Sequence, residues 1–166
     1  MILRLLLAIL ILSALIAGGC GTMNHEDNIE AEKTEISEVI HNSIGWAATK
    51  NKELVFSCFA DDPELFWFSP RDDGTIYGFR AFVELTEGFF MLDDFKHVGY
   101  EIKDLQINLS RSGDMAWYHV RLDDFNEWKG QSANWEDVRW TGVLEKWYNR
   151  WVIVQMHFSE ANDKNG

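Results

Sequence analysis

Gln155, His157 and Ser159 recur at every second position near the end of the chain, in the stretch Trp151–Ser159 (WVIVQMHFS). In an extended strand that spacing puts them on one face with Trp151 and Ile153, while Val152, Val154, Met156 and Phe158 take the other. A face that begins apolar and ends in three polar groups has the character of a pocket wall. His157 is its chemical centre, because an imidazole titrates near neutrality and can act as a general base or donate to a ligand. The alternative is a structural histidine tied to Ser159 or a loop carbonyl. Arg139 and Thr141 share a parity on the strand expected to pair with that of His157. An arginine inside a pocket needs a carboxylate, either from an anionic ligand or from a local acid such as Glu136 or Asp137. Trp117, His119 and Arg121 lie on one parity of an earlier strand, and Ala116, Tyr118, Val120 and Leu122 on the other; either set can face the cavity. Trp67 and Tyr77 would supply aromatic walls, or simply pack in the core.

Other chemistries find little support in the residue pattern. The five histidines show neither HxxxH nor HxH spacing, and Asp123-Asp124 reads as a solvated pair, so no metal site and no cofactor are expected. No serine occupies a G-x-S-x-G elbow, and no glycine-rich loop is built to cradle phosphate.

The elements that must position these groups follow from periodicity. Apolar residues at Ile36, Val39, Ile40, Ile44 and Ala47 mark one face of a helix over Ile29–Lys50, with Glu30, Glu32 and Glu35 at the positive end of its dipole. Asn51 can cap a second helix reaching Phe59, and Asp62-Pro63 stops it. Glu64–Ser69 reads as an aromatic strand, Pro70–Gly74 as a turn and Thr75–Tyr77 as a short return. Phe79, Phe82, Val83, Phe89 and Phe90 then recur at helical spacing. Phe95–Ser110 alternates with a fault: Val98, Tyr100 and Ile102 share one parity, Leu105, Ile107 and Leu109 the other. A strand burying one face changes parity only through an inserted residue, which predicts a bulge near Lys103-Asp104. Met115–Phe125 is a further strand. Trp140–Ser159 is a hairpin turning at Tyr148-Asn149, where asparagine accepts the left-handed conformation. The sum is an α+β domain, a curved antiparallel sheet wrapped around three N-terminal helices in a cone-shaped roll.

The chain has 166 residues, is 46% hydrophobic and carries a net charge of -12, with Arg4 the only charged residue before Cys20. That size suits one domain, and such an acidic surface disfavours nucleic acid as a partner. Cys58 sits in an apolar helical run, where a lone cysteine behaves as a small hydrophobe.

Residues 1–19 have the plan of a secretory signal: Arg4, an apolar run from Leu5 to Leu12, then small residues before Cys20. Ile16-Ala17-Gly18-Gly19-Cys20 resembles the lipobox of bacterial lipoproteins, although relatives usually carry Leu where Ala17 stands. The resemblance implies cleavage before Cys20 and lipidation of it. With Gly21 rather than Asp next, it also implies residence in the cell envelope, at the periplasmic face of the outer membrane in a host with two membranes. An uncleaved anchor is the alternative, since the apolar stretch approaches the ~18 residues needed to span. Residues 20–28 would be a tether, 29–161 the domain and 162–166 a polar tail.

Three further signals, Phe59-Ala60-Asp61-Asp62, Thr75-Ile76-Tyr77-Gly78-Phe79 and the Trp151–Ser159 ending, resemble the nuclear transport factor 2-like superfamily of SnoaL-like and ketosteroid-isomerase-like domains. The resemblance implies a cone-shaped, cystatin-like roll with a pocket, and a homodimer formed through the outer sheet face. Ketosteroid-isomerase chemistry is not implied. Its aspartate base would fall on the strand where this chain has Phe66, Trp67 and Phe68, and its donor tyrosine on a first helix that here has none. The expected function is therefore binding of a small, partly apolar ligand. The alternatives are proton transfer or dehydration with His157 and an acid, or a dimerisation module without catalysis.

Overall fold

The computed structural model describes residues 25–70 and 74–160. The expected signal peptide, the expected lipidation site Cys20, the expected polar tail and the middle of the Pro70–Gly74 turn lie outside the described residues. Helix α1 runs His25–Gly45, continued by a 3-10 turn at Trp46–Ala48; α2 is Lys52–Ser57 and α3 is Phe79–Leu85, followed by a π-helical turn at Thr86–Phe90. The strands are β1 (Phe66–Phe68), β2 (Ile76–Tyr77), β3 (Phe95–Leu109), β4 (Met115–Trp128), β5 (Gln131–Ser132), β6 (Trp135–Trp147) and β7 (Arg150–Ser159).

Local chemistry accounts for the boundaries. Helix α1 is already formed at His25, four residues before the expected Ile29, so His25–Asn28 belongs to it rather than to a tether. Its continuation ends at Lys50, which adopts φ 51°, and Asn51 caps α2 by accepting from the Leu54 backbone N–H at 3.0 Å. The Asp62 side chain accepts from Glu64 N at 2.7 Å, and its carbonyl accepts from Leu65 N and Phe79 N, tying the start of β1 to the start of α3. Tyr148 and Asn149, at φ 50° and 65°, make the tight turn expected between β6 and β7.

Among the described residues the sheet order is β2-β1-β7-β6-β4-β3, with β5 paired to β4. All pairings are antiparallel except β1 with β7, which run parallel, so the sheet is mixed. The short β1 keeps β2 as its antiparallel hairpin partner on one edge, as expected, and takes β7 in parallel on the other. Bulges curl the sheet. One falls between Lys103 and Gln106, where Asp104 has φ 56°, as the parity fault predicted; another falls at Val98, between His97 and Gly99.

The hollow of the curl holds the core. Ile36 and Ile40 of α1, Val55 of α2 and Phe82 of α3 meet Tyr118, Val120, Leu122, Val138, Trp140, Leu144, Ile153, Met156 and Phe158 from the sheet. Trp140 stacks on Phe158 at 5.3 Å and takes the Tyr118 ring edge-on at 5.1 Å. Tyr118 has room because Gly142 faces it: a Cβ there would lie 2.5 Å from the tyrosine ring.

Candidate functional site

Trp117, His119, Arg121, Arg139, Thr141, His157 and their neighbours share a face, and it is the outer one. Strand register aligns His119, Thr141, His157 and Phe68 in one row, and Trp117, Val143, Gln155, Phe66 and Tyr77 in the next. Arg121, Arg139 and Ser159 form a third row. His119, Arg121, Arg139, Thr141 and His157 are exposed, Gln155 and Ser159 half-buried, Trp117 is 48% exposed and Tyr77 70%. The expectation that these groups line the interior is corrected: the apolar Ala116–Leu122 set faces inward and the polar set faces out. Trp67 alone of the set turns toward the core, against Phe82 and Phe158.

Continuity on β7 is also corrected. Leu144 pairs with Ile153 but Val143 pairs with Gln155, so Val154 is an inserted residue. Trp151 and Ile153 therefore point inward before the bulge, and Met156 and Phe158 after it, all four buried. Gln155, His157 and Ser159 do not share a face with Trp151 and Ile153.

The outer groups are engaged locally. Arg121 pairs with Asp137, Arg139 donates to the Glu160 carbonyl at 2.8 Å, and His157 meets the Phe68 ring at 5.5 Å. None of the carboxylates paired or hydrogen-bonded among the described residues reaches His157, so it lacks the partner a general base needs.

The histidine that has one is His97. On β4 the inward parity of Ala116, Tyr118, Val120 and Leu122 continues through Asp124 and Asn126. Asp124 pairs across β3 with Tyr100, and Asn126 with His97 beyond the Val98 bulge, so the four polar side chains gather on the concave side of the sheet. His97 Nδ1 lies 3.1 Å from Asn126 Oδ1 and 3.4 Å from Asp124 Oδ1. Both facing atoms are acceptors, so Nδ1 carries the proton and the neutral ring leaves Nε2 as its basic nitrogen. Nε2 is buried without a hydrogen-bond partner among the described residues, and Asp124 Oδ1, too distant for a good hydrogen bond, has only the ionic contact. The Asp124 carboxylate holds the His97 pKa above the ordinary histidine value, outweighing the opposing effect of burial, with a smaller push from Asn126.

Tyr100 links this pair to α1. Its hydroxyl meets His41 Nδ1 at 3.1 Å, and its ring stands 6.0 Å from the His97 ring. The close approach depends on Gly45, where a Cβ would lie 3.1 Å from the tyrosine ring. Burial pushes the Tyr100 hydroxyl pKa up, keeping it a neutral donor. His41 also lines a cleft of about 490 Å³ along α1 with Ser37 and Asn42.

Sequence reasoning passed over His97, Tyr100, Asp124 and Asn126, and read Asp123-Asp124 as one solvated pair. The two in fact diverge: Asp123 turns out to Lys103 at 2.7 Å and to the Asp137 backbone N–H, while Asp124 turns in to His97. The available signal was two polar residues continuing the core parity of an otherwise apolar strand face. Among the described residues no group of three or more His, Cys, Asp or Glu is arranged to hold a metal.

No curated protein matches the chain. Among solved structures, similarity extends to a nuclear transport factor 2-like superfamily protein of Salmonella enterica serovar Typhimurium. It is 21% identical, with a TM-score of 0.69, over 83% of this chain and 99% of that one. An NTF2-like protein with a cystatin-like fold from Novosphingobium aromaticivorans is 14% identical, with a TM-score of 0.64, over 87% and 95%. A Streptomyces avermitilis protein proposed to be a dehydratase of the NTF2-like family is 10% identical, with a TM-score of 0.67, over 80% and 98%. At these identities the likeness is one of fold. A family model described as the SnoaL-like domain matches residues 36–163, most of the chain, and identifies the protein as a member of the SnoaL-like domain family.

Proposed function

We propose that this SnoaL-like domain performs proton transfer on a small, partly apolar ligand, with His97 as general base and acid and Asp124 as the group that orients it. The observation that carries this reading is the enclosed His97–Asp124 pair, with Nδ1 turned to the carboxylate and Nε2 unpartnered on the concave face. A buried basic nitrogen backed by a carboxylate is the arrangement acid–base chemistry uses. Nε2 would take a proton from a carbon beside a carbonyl. Returned to another carbon, that proton completes an isomerisation; given to a departing hydroxyl, it completes a dehydration that releases water. The proposed dehydratase among the structural neighbours lends the second course support.

The test is deuterium exchange. Protein in D₂O is incubated with a panel of small ketones, enones and β-hydroxy acids, and loss of C–H signals is followed by NMR. The expected result is protein-dependent exchange in at least one compound, abolished by His97→Gln and untouched by His157→Gln. Saturable binding with no exchange would establish a binding domain without this chemistry.

A second reading concerns association. The outer face carries Trp117, Phe68 and Tyr77, each more than 40% exposed, and a second copy of this chain is the proposed partner for it. A sedimentation profile of a monomer at high concentration would remove that reading. We further propose that Cys20 is lipidated and holds the domain to the cell envelope; Cys20→Ser should move the protein from the membrane to the soluble fraction, and an unchanged pellet would point to an uncleaved apolar segment instead.

A further inference from the structure

A second cavity, of about 660 Å³, lies away from His97 where the β6–β7 hairpin meets the segment following α2. The hairpin register sets Arg150 opposite Trp147 and Val152 opposite Glu145, which places Trp147, Arg150 and Val152 together. The opposing wall is fixed: Ile153 N donates to the Cys58 carbonyl at 2.8 Å, and Ala60 N donates to the Ile153 carbonyl at 3.0 Å. Phe56 and Phe59 come from that wall, and both are held in turn by the Phe82 ring. The cavity is thus framed by two hydrogen-bonded segments, with Asp61 on the loop after α2 and Tyr148 on the hairpin turn.

Its lining is unusual in two respects. Arg150 and Asp61 both border it, and neither has an ion-pair partner among the described residues. Tyr148, at the rim, is 95% exposed and adopts φ 50°, a conformation that suits asparagine or glycine and disfavours a bulky aromatic. A turn residue chosen for turn formation alone would not be tyrosine.

We infer that this cavity binds a zwitterionic aromatic molecule of the α-amino acid type. The ring lies against Phe56, Trp147 and Tyr148, the carboxylate meets the Arg150 guanidinium, and the ammonium meets Asp61. A purely apolar ligand would leave both charges unused, and a ligand with a single charge would leave one of them opposed or idle. The inference is independent of the chemistry proposed at His97.

Isothermal titration, with NMR detection of the Trp147 Nε1–H that donates to Glu145 Oε2 at 2.8 Å, tests it on the intact protein. The probes are L-tryptophan, indole-3-propionate and tryptamine. L-Tryptophan should bind about five- to tenfold tighter than either analogue, the scale of a charge-assisted contact near the surface. Arg150→Gln should erase its advantage over tryptamine, and Asp61→Asn its advantage over indole-3-propionate. Both residues are exposed, so neither change threatens the fold. Tyr148→Gly should raise the thermal midpoint by relieving the turn while weakening all three ligands. Equal affinities for the three probes, no response of Trp147, or an order of affinities unchanged by both charge substitutions would overturn the inference.

Discussion

Replacing Asp124 with asparagine keeps the size of the side chain and an acceptor oxygen but removes the charge facing His97. The His97 side chain is 2% exposed and that of Asp124 17%, so solvent screens the pair only weakly. Breaking a fully buried pair costs about 3–5 kcal/mol; with the Asn126 contact at 3.1 Å retained, we expect about 1–3 kcal/mol. The sign of the pH dependence follows from the raised His97 pKa. A raised value in the folded state contributes stability that is fully present below the unfolded pKa, near 6.5, and is lost as pH rises through the folded one. Wild type should therefore exceed Asp124→Asn by most at about pH 6 and by progressively less toward about pH 9. Urea unfolding of both proteins across that range, with m held in common, measures the difference directly. A difference of the same size at every pH would mean that His97 and Asp124 are not electrostatically coupled.

Gly142→Ala would put a Cβ 2.6 Å from the buried Tyr118 hydroxyl as well as 2.5 Å from its ring, and should cost about 1–3 kcal/mol in thermal unfolding; adding Tyr118→Leu should recover part of it, and a neutral single mutant would contradict the packing described. Asn51→Ala removes the α2 cap and should lower stability by about 1 kcal/mol by denaturant titration, an unchanged midpoint showing that the cap is idle. Burial pushes the Cys58 thiol up to about 12, so an aromatic disulfide reagent should fail to label it in the native protein and label it on unfolding; rapid native labelling would contradict its burial.

Features set by short-range chemistry were legible in the sequence. The turn at Tyr148-Asn149 and the Asn51 cap each follow from one or two residues. The second helix, expected to reach Phe59 and stop at Asp62-Pro63, ends earlier, at Ser57, because Phe59 bridges to Ile153. The Asp104 bulge announced itself because it broke an apolar alternation. The Val154 bulge did not, because Val152, Ile153 and Val154 are all apolar and hide the change of parity. That slip carried Gln155, His157 and Ser159 to the wrong face, and with them the groups aligned by register on β4 and β6. The parallel β1–β7 pairing depends on contacts between residues about 90 positions apart in the chain, to which local periodicity is blind. The His97 cluster depends on both: its members come from α1, β3 and β4, and meet only once the Val98 bulge turns His97 inward. Polar residues on a core parity, Asp124 and Asn126, were the trace it left in the sequence.

The proposed chemistry requires His97 to be a base oriented through Nδ1 by Asp124, with Nε2 free. Long-range ¹H–¹⁵N correlation of the imidazole nitrogens across a pH titration tests this most directly. It should find the Nδ1–H tautomer at high pH, a midpoint above the ordinary 6.5, and a lower midpoint in Asp124→Asn. An Nε2–H tautomer, or a midpoint that ignores the loss of Asp124, would contradict it.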